Sequence, residues 1–167
     1  MKKYILILFL FVCFNSNSQN RVTKENVKKV FTENRIEKQK GVYKLPSDKS
    51  WKFNNNDSLY FKQDTLTGIM NKFGKSKSLC KAVDWTFYKK NKFIKGSESI
   101  CNEFAQRSVT RFPEDFFSIT IYLIQGETII DVLRNDKMIV ESFKVISLET
   151  NNEFNKIILV RRFLPYN

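Results

Sequence analysis

Chemistry at a protein site is carried by a few residue types, and this chain offers them sparingly. It contains no histidine, which removes the side chain that most often moves protons near neutral pH and the usual partner of a serine nucleophile. Ser78-Leu79-Cys80-Lys81 has the Ser-x-x-Lys spacing in which a lysine can activate a serine. Such sites also need Ser-Asp-Asn and Lys-Thr-Gly elements, and neither occurs here. Asp131 and Glu141 lie in strand-like runs and could do acid–base work if they faced a cavity. The ordinary reading is a charge on the solvated face of a strand, because an unpaired carboxylate is seldom buried. The 5 glycines stand singly, so no phosphate-cradling loop is formed. The expectation is therefore a protein that is not an enzyme and uses no cofactor and no metal.

The cysteines say more. Cys80 and Cys101 are expected to form a disulfide, because a Cys-x-x-Cys redox spacing is absent and two thiols without histidine make no zinc set. The bridge would close a loop of about 20 residues, contributing roughly 3 kcal/mol through the unfolded chain. Its setting is an oxidising compartment, which the N-terminus also predicts. Lys2 and Lys3 precede an apolar run from Tyr4 to Phe14, and Ser16-Asn17-Ser18 offers small residues for cleavage before Gln19. Residues 1–18 thus read as a signal peptide, and the mature chain as exported, periplasmic or secreted, without a transmembrane segment. Leu10-Phe11-Val12-Cys13 is the rival reading, a lipoprotein anchored at Cys13.

Loss of that segment leaves 27 basic against 17 acidic residues. Such a charge can steer a protein to polyanions or anionic membranes. Here the charges are scattered, with no basic run longer than two residues, so specific nucleic-acid binding is not expected.

These residues need elements to hold them. Four strand-like runs, 117–124, 128–134, 137–148 and 154–163, are separated by short polar turns, with Gly126 suited to a tight hairpin. Upstream, Thr23 can cap a helix whose apolar positions Val27, Val30 and Phe31 form a narrow stripe, with Ile36 a turn later. Residues 19–40 therefore form a helical segment that plugs or lies on a domain spanning 41–167. Val42–Leu45 reads as a first strand, and Trp51–Phe53 as pairing with Leu59–Phe61. Trp85–Phe87 and Phe93–Ile94 are further strand pieces, whereas 64–82 reads as a long connection tied down by Cys80.

Aromatic side chains are the remaining material for a site. Trp51, Phe53, Tyr60, Trp85, Phe87, Tyr122 and Phe143 could line a cavity, with Tyr60 or Arg134 fixing a ligand's orientation. Each could equally fill a core. Gly41-Val42-Tyr43-Lys44-Leu45, then Trp51-Lys52-Phe53 with its asparagine turn, resembles the opening of the small bacterial lipocalin-like domains. Trp85-x-Phe87, the turn at Gly126, and Phe143-Lys144-Val145-Ile146-Ser147-Leu148 before a final aliphatic strand extend that resemblance over most of 41–163. It implies a mainly β fold, an antiparallel up-and-down barrel of about eight strands with a short N-terminal helix.

Two functions follow. One is an exported binding protein of the cell envelope for a lipid or other small hydrophobic or amphipathic molecule. The other is a filled barrel acting as a non-catalytic interaction module, an inhibitor or adaptor for an envelope protein. A carrier needs an enclosed void of roughly 300 Å³ or more, whereas a module needs a packed interior and an exposed apolar patch.

Overall fold

The computed structural model describes residues 22–39, 42–43, 49–73, 79–101, 106–107 and 111–163. The expected signal peptide, Cys13, Ser78 and the stretch 44–48 lie outside them. Helix α1 (Lys24–Glu33) starts where Thr23 Oγ1 accepts from the Asn26 backbone N–H at 3.1 Å and buries Val27, Val30 and Phe31, satisfying an N-terminal donor as a cap should. Strands β1 (Lys38–Gln39) and β2 (Val42–Tyr43) pair only with each other. The run expected to open the barrel therefore stands apart from it.

The main sheet contains β3 (Trp51–Asn54), β4 (Thr65–Asn71), β5 (Lys81–Lys89), β6 (Lys92–Ser99), β7 (Gln106–Arg107), β8 (Phe116–Ile124), β9 (Glu127–Leu133), β10 (Ile139–Thr150) and β11 (Phe154–Arg161). Its order is β5-β3-β4-β11-β10-β9-β8-β6-β7, and β5 also pairs with β6. That last pairing closes eight strands into an antiparallel barrel, with β7 an appendage on β6. Strands β8 to β11 form the expected meander. The β8–β9 hairpin turns on Gln125 and Gly126 at φ of 51° and 81°, the doubly positive geometry that a two-residue loop requires.

One departure from neighbour-to-neighbour order matters for the mouths. Strand β3 lies between β4 and β5, so β4 and β5 run parallel although they follow one another in the sequence. Leu59–Phe61 is not the partner strand of β3. Asp57 and Ser58 take positive φ, the chain turns, and Leu59–Lys62 forms a short helix, α2. The true partner is β4, whose Leu66, Gly68 and Met70 face inward between exposed Thr65, Thr67 and Ile69. Its alternation is interrupted by Gly68, and that glycine has a packing reason: a Cβ there would sit 2.6 Å from the Phe53 ring.

Cys80 and Cys101 are bridged, with Cα atoms 4.9 Å apart, at the start of β5 and just beyond β6. The disulfide staples the pairing that closes the barrel. Cys80→Ser with Cys101→Ser is expected to lower stability by roughly 3 kcal/mol, from the length of the closed loop. Urea unfolding of wild type with and without reductant should reproduce that loss, and an unchanged midpoint would refute it.

Candidate functional site

The buried core is apolar, and its largest side chains are aromatic. Phe31 from α1 meets Trp51 at 5.4 Å and Phe87 at 4.6 Å between ring centroids. Phe87 meets Phe93, Phe93 meets Trp85, and Trp85 meets Phe53 at 5.4, 4.8 and 5.0 Å. Phe53 then meets Tyr60 of α2 at 5.7 Å, and Phe143 lies 5.9 Å from Trp85. All are ordinary ring-packing separations. The chain of contacts runs from α1 at one end to α2 at the other, so Trp51, Phe53, Tyr60, Trp85, Phe87 and Phe143 are brought together as one buried set.

Tyr122 and Arg134 do not join it. Tyr122 is on the outer face, where its hydroxyl donates to Asp131 Oδ2 at 2.7 Å. Ser142 Oγ donates to Asp131 Oδ1 at 2.6 Å and accepts from Arg162 Nη1 at 3.2 Å. Burial, followed by the Asp131 carboxylate, raises the Tyr122 phenol above its usual pKa of 10.0. Arg134 sits in the exposed β9–β10 turn, 2.7 Å from Asp136.

Sequence reasoning missed the polar cluster at the α2 mouth. Glu141 faces the interior, not solvent, and one carboxylate serves three donors. Lys95 Nζ bonds Oε2, Arg161 Nη1 lies 3.1 Å from Oε1, and Tyr60 Oη donates to Oε2 at 3.2 Å. Trp85 Nε1 donates to Tyr60 Oη at 3.1 Å, joining the cluster to the ring core. Arg161 Nε donates to Gln63 O at 3.2 Å and Nη2 to Tyr60 O. Each guanidinium nitrogen is engaged, so the cluster is a brace across the mouth and not an open anion site. Its inward position was readable by period two. Lys95 follows Phe93, Glu141 precedes Phe143, and Arg161 follows Ile157 and Leu159.

At the opposite end α1 crosses the barrel with a cleft on either side, each about 330 Å³. One is lined by Val22, Val30, Leu148 and Thr150 with Asn26, Lys29 and Glu33, and the other lies between the end of α1, Lys49 and Tyr88. Among the described residues no group of three His, Cys, Asp or Glu could hold a metal, and no helix is long and apolar enough to cross a membrane. Comparison of the chain with known protein families, with curated proteins and with solved structures finds no match.

Glu141→Gln leaves two cations packed together without a counter-charge. The side chains keep 10–22 % of their exposure, so a loss of about 3 kcal/mol is expected, the lower end for a broken buried pair. Urea unfolding checks it, and a loss below 1 kcal/mol would show the cluster to be solvated.

Burial above all, and then Glu141, holds the Tyr60 phenol well above its ordinary pKa of 10.0. A raised folded pKa stabilises fully below the unfolded value and is lost as pH rises through the folded one. Tyr60→Phe should cost about 1–3 kcal/mol at neutral pH, by orphaning the Trp85 N–H. Its stability should also fall less steeply than wild type above pH 10, which unfolding midpoints across pH 8–11 would reveal.

Proposed function

We propose that this chain is an exported, non-catalytic interaction module, a filled barrel whose working surface lies at the α2 mouth. The observation that carries the reading is the run Met138-Ile139-Val140, three consecutive exposed apolar residues opening β10. An irregularity in the β9–β10 register between Ile139 and Glu141 accompanies this exposure on both faces. Exposed apolar runs of that length are avoided on surfaces that bind nothing. Phe112 is exposed beside it, on a turn held to the β9–β10 loop by Asn135 Nδ2 donating to Pro113 O at 3.0 Å. Arg111, Arg134 and Lys137 flank these residues.

With 27 basic against 17 acidic residues after loss of the expected signal peptide, the complement is an acidic envelope protein offering an apolar groove. The ring-filled interior supports this reading over a mid-barrel carrier, because Trp51, Phe53, Trp85, Phe87 and Phe143 pack against one another. Kinship with the small bacterial lipocalin-like domains belongs to the same proposal, with the barrel as its support. A small-ligand reading keeps one favourable observation, the clefts beside α1.

A photo-crosslinking residue at Ile139, expressed in the source cell, should give a discrete protein adduct, whereas the same residue at Lys156 on β11 should give none. Met138→Ser with Ile139→Ser should weaken partner binding at least tenfold at unchanged urea midpoint, about 1.4 kcal/mol. Equal adducts from both positions would refute the surface. A mass removed by solvent extraction in native mass spectrometry, together with no protein adduct at Ile139, would favour the small-ligand reading instead.

A further inference from the structure

The polar groups on the inner face divide into two ends. Glu141, Lys95, Arg161 and Tyr60 at the α2 mouth satisfy one another, as described. Near α1, Thr128 Oγ1 donates to Val22 O at 2.8 Å. Three buried side-chain atoms have no hydrogen-bond partner among the described residues: Asn55 Oδ1 just past β3 at the α2 end, and Trp51 Nε1–H and Asn155 Oδ1 towards α1. Each such group costs about 1–3 kcal/mol, and a native fold seldom leaves one unexplained.

The strand registers place the last two in one row. Met70 pairs with Asn155, and continuing the β3–β4 register one step beyond Lys52 and Ile69 brings Trp51 level with Met70. Asn155 is in turn the cross-strand neighbour of Thr150, which with Leu148 lines the cleft beneath α1. The indole N–H can only donate and the amide oxygen can only accept. A carboxylate would suit the first alone and an ammonium the second alone. A hydroxyl does both, and the apolar cleft residues Val22, Val30 and Leu148 suit a hydrocarbon tail. Helix α1 is anchored by Val27, Val30 and Phe31, few enough contacts for an element that opens locally.

We propose that α1 is a lid over a site for the hydroxyl end of a small amphipathic molecule. The hydroxyl oxygen accepts from Trp51 Nε1–H, its proton is shared with Asn155 Oδ1, and the tail leaves through the cleft between α1 and β10. This site goes beyond the interaction surface at the other mouth and stands or falls without it.

The chain has 2 tryptophans, and Trp85 Nε1–H is already bonded to Tyr60. Two indole resonances in a ¹H–¹⁵N spectrum therefore separate site from scaffold, with Trp51→Phe assigning them. Titration with 1-octanol should move the Trp51 resonance downfield saturably and leave that of Trp85 in place. Octanoate should bind at least tenfold more weakly. Asn155→Leu should weaken 1-octanol at least tenfold while the Trp85 resonance reports an intact core. Should that variant not fold, the alcohol-against-acid comparison on wild type decides alone. A Trp51 resonance unmoved by 1-octanol, one with a persistent water cross-peak that alcohol does not displace, or equal binding of octanoate would each overturn the proposal.

Discussion

A closed barrel of eight strands has an interior just wide enough for side chains to fill, and it is stable only when they do. Here the filling is a file of rings in which each makes room for the next. Phe53 can lie flat against the wall because Gly68 has no side chain there. Phe31 and Tyr60 end the file, and both come from helices outside the sheet. The same packing that stabilises the barrel thus positions α1 over one mouth and α2 over the other, so neither mouth can be considered apart from the core.

The two ends differ in how their polar groups are settled. At the α2 mouth a carboxylate, two cations and a phenol complete one another, and Trp85 ties that set to the rings. Low local dielectric strengthens such a network when every member is matched. At the α1 end an indole N–H and an amide oxygen have no hydrogen-bond partner among the described residues. A mouth braced by ion pairs suits the base of a protein contact surface, whereas an unsatisfied one under a helix held by a narrow apolar stripe suits exchange with a ligand.

Much of this architecture was legible where one physical signal acted alone. The meander from Phe117 onward could be read from period two and its turns, the cap and stripe of α1 from Thr23, Val27, Val30 and Phe31, and the bridge from two cysteines with neither a redox spacing nor a histidine partner. Reading failed where two signals conflicted. Leu59-Tyr60-Phe61 has strand composition, but left-handed Asp57 and Ser58 turn it into α2. Strand β4 hid behind Gly68, whose missing side chain is read as flexibility until the Phe53 ring is seen on it. Glu141 was assigned to solvent because buried acids are rare, and the counter-charges that reverse that rule stand 46 residues before it and 20 after it. Of the aromatic set, six residues were placed together, while Tyr122 and Arg134 went elsewhere because strand parity and turn geometry decide direction regardless of residue type.

The insertion of β3 between β4 and β5 also governs how the molecule comes into being. A simple meander can zip hairpin by hairpin from either end. Here β4 has as its neighbours a strand of four residues and the last strand of the chain, with Thr65 opposite Val160. Most of its pairing must wait until β11 is present, which makes the closing step non-local and slow. A nascent chain would therefore hold β4 largely unpaired until β11 emerged. An exposed, alternating strand edge in that interval is an invitation to mispair, so this fold calls for protection during biogenesis more than after it.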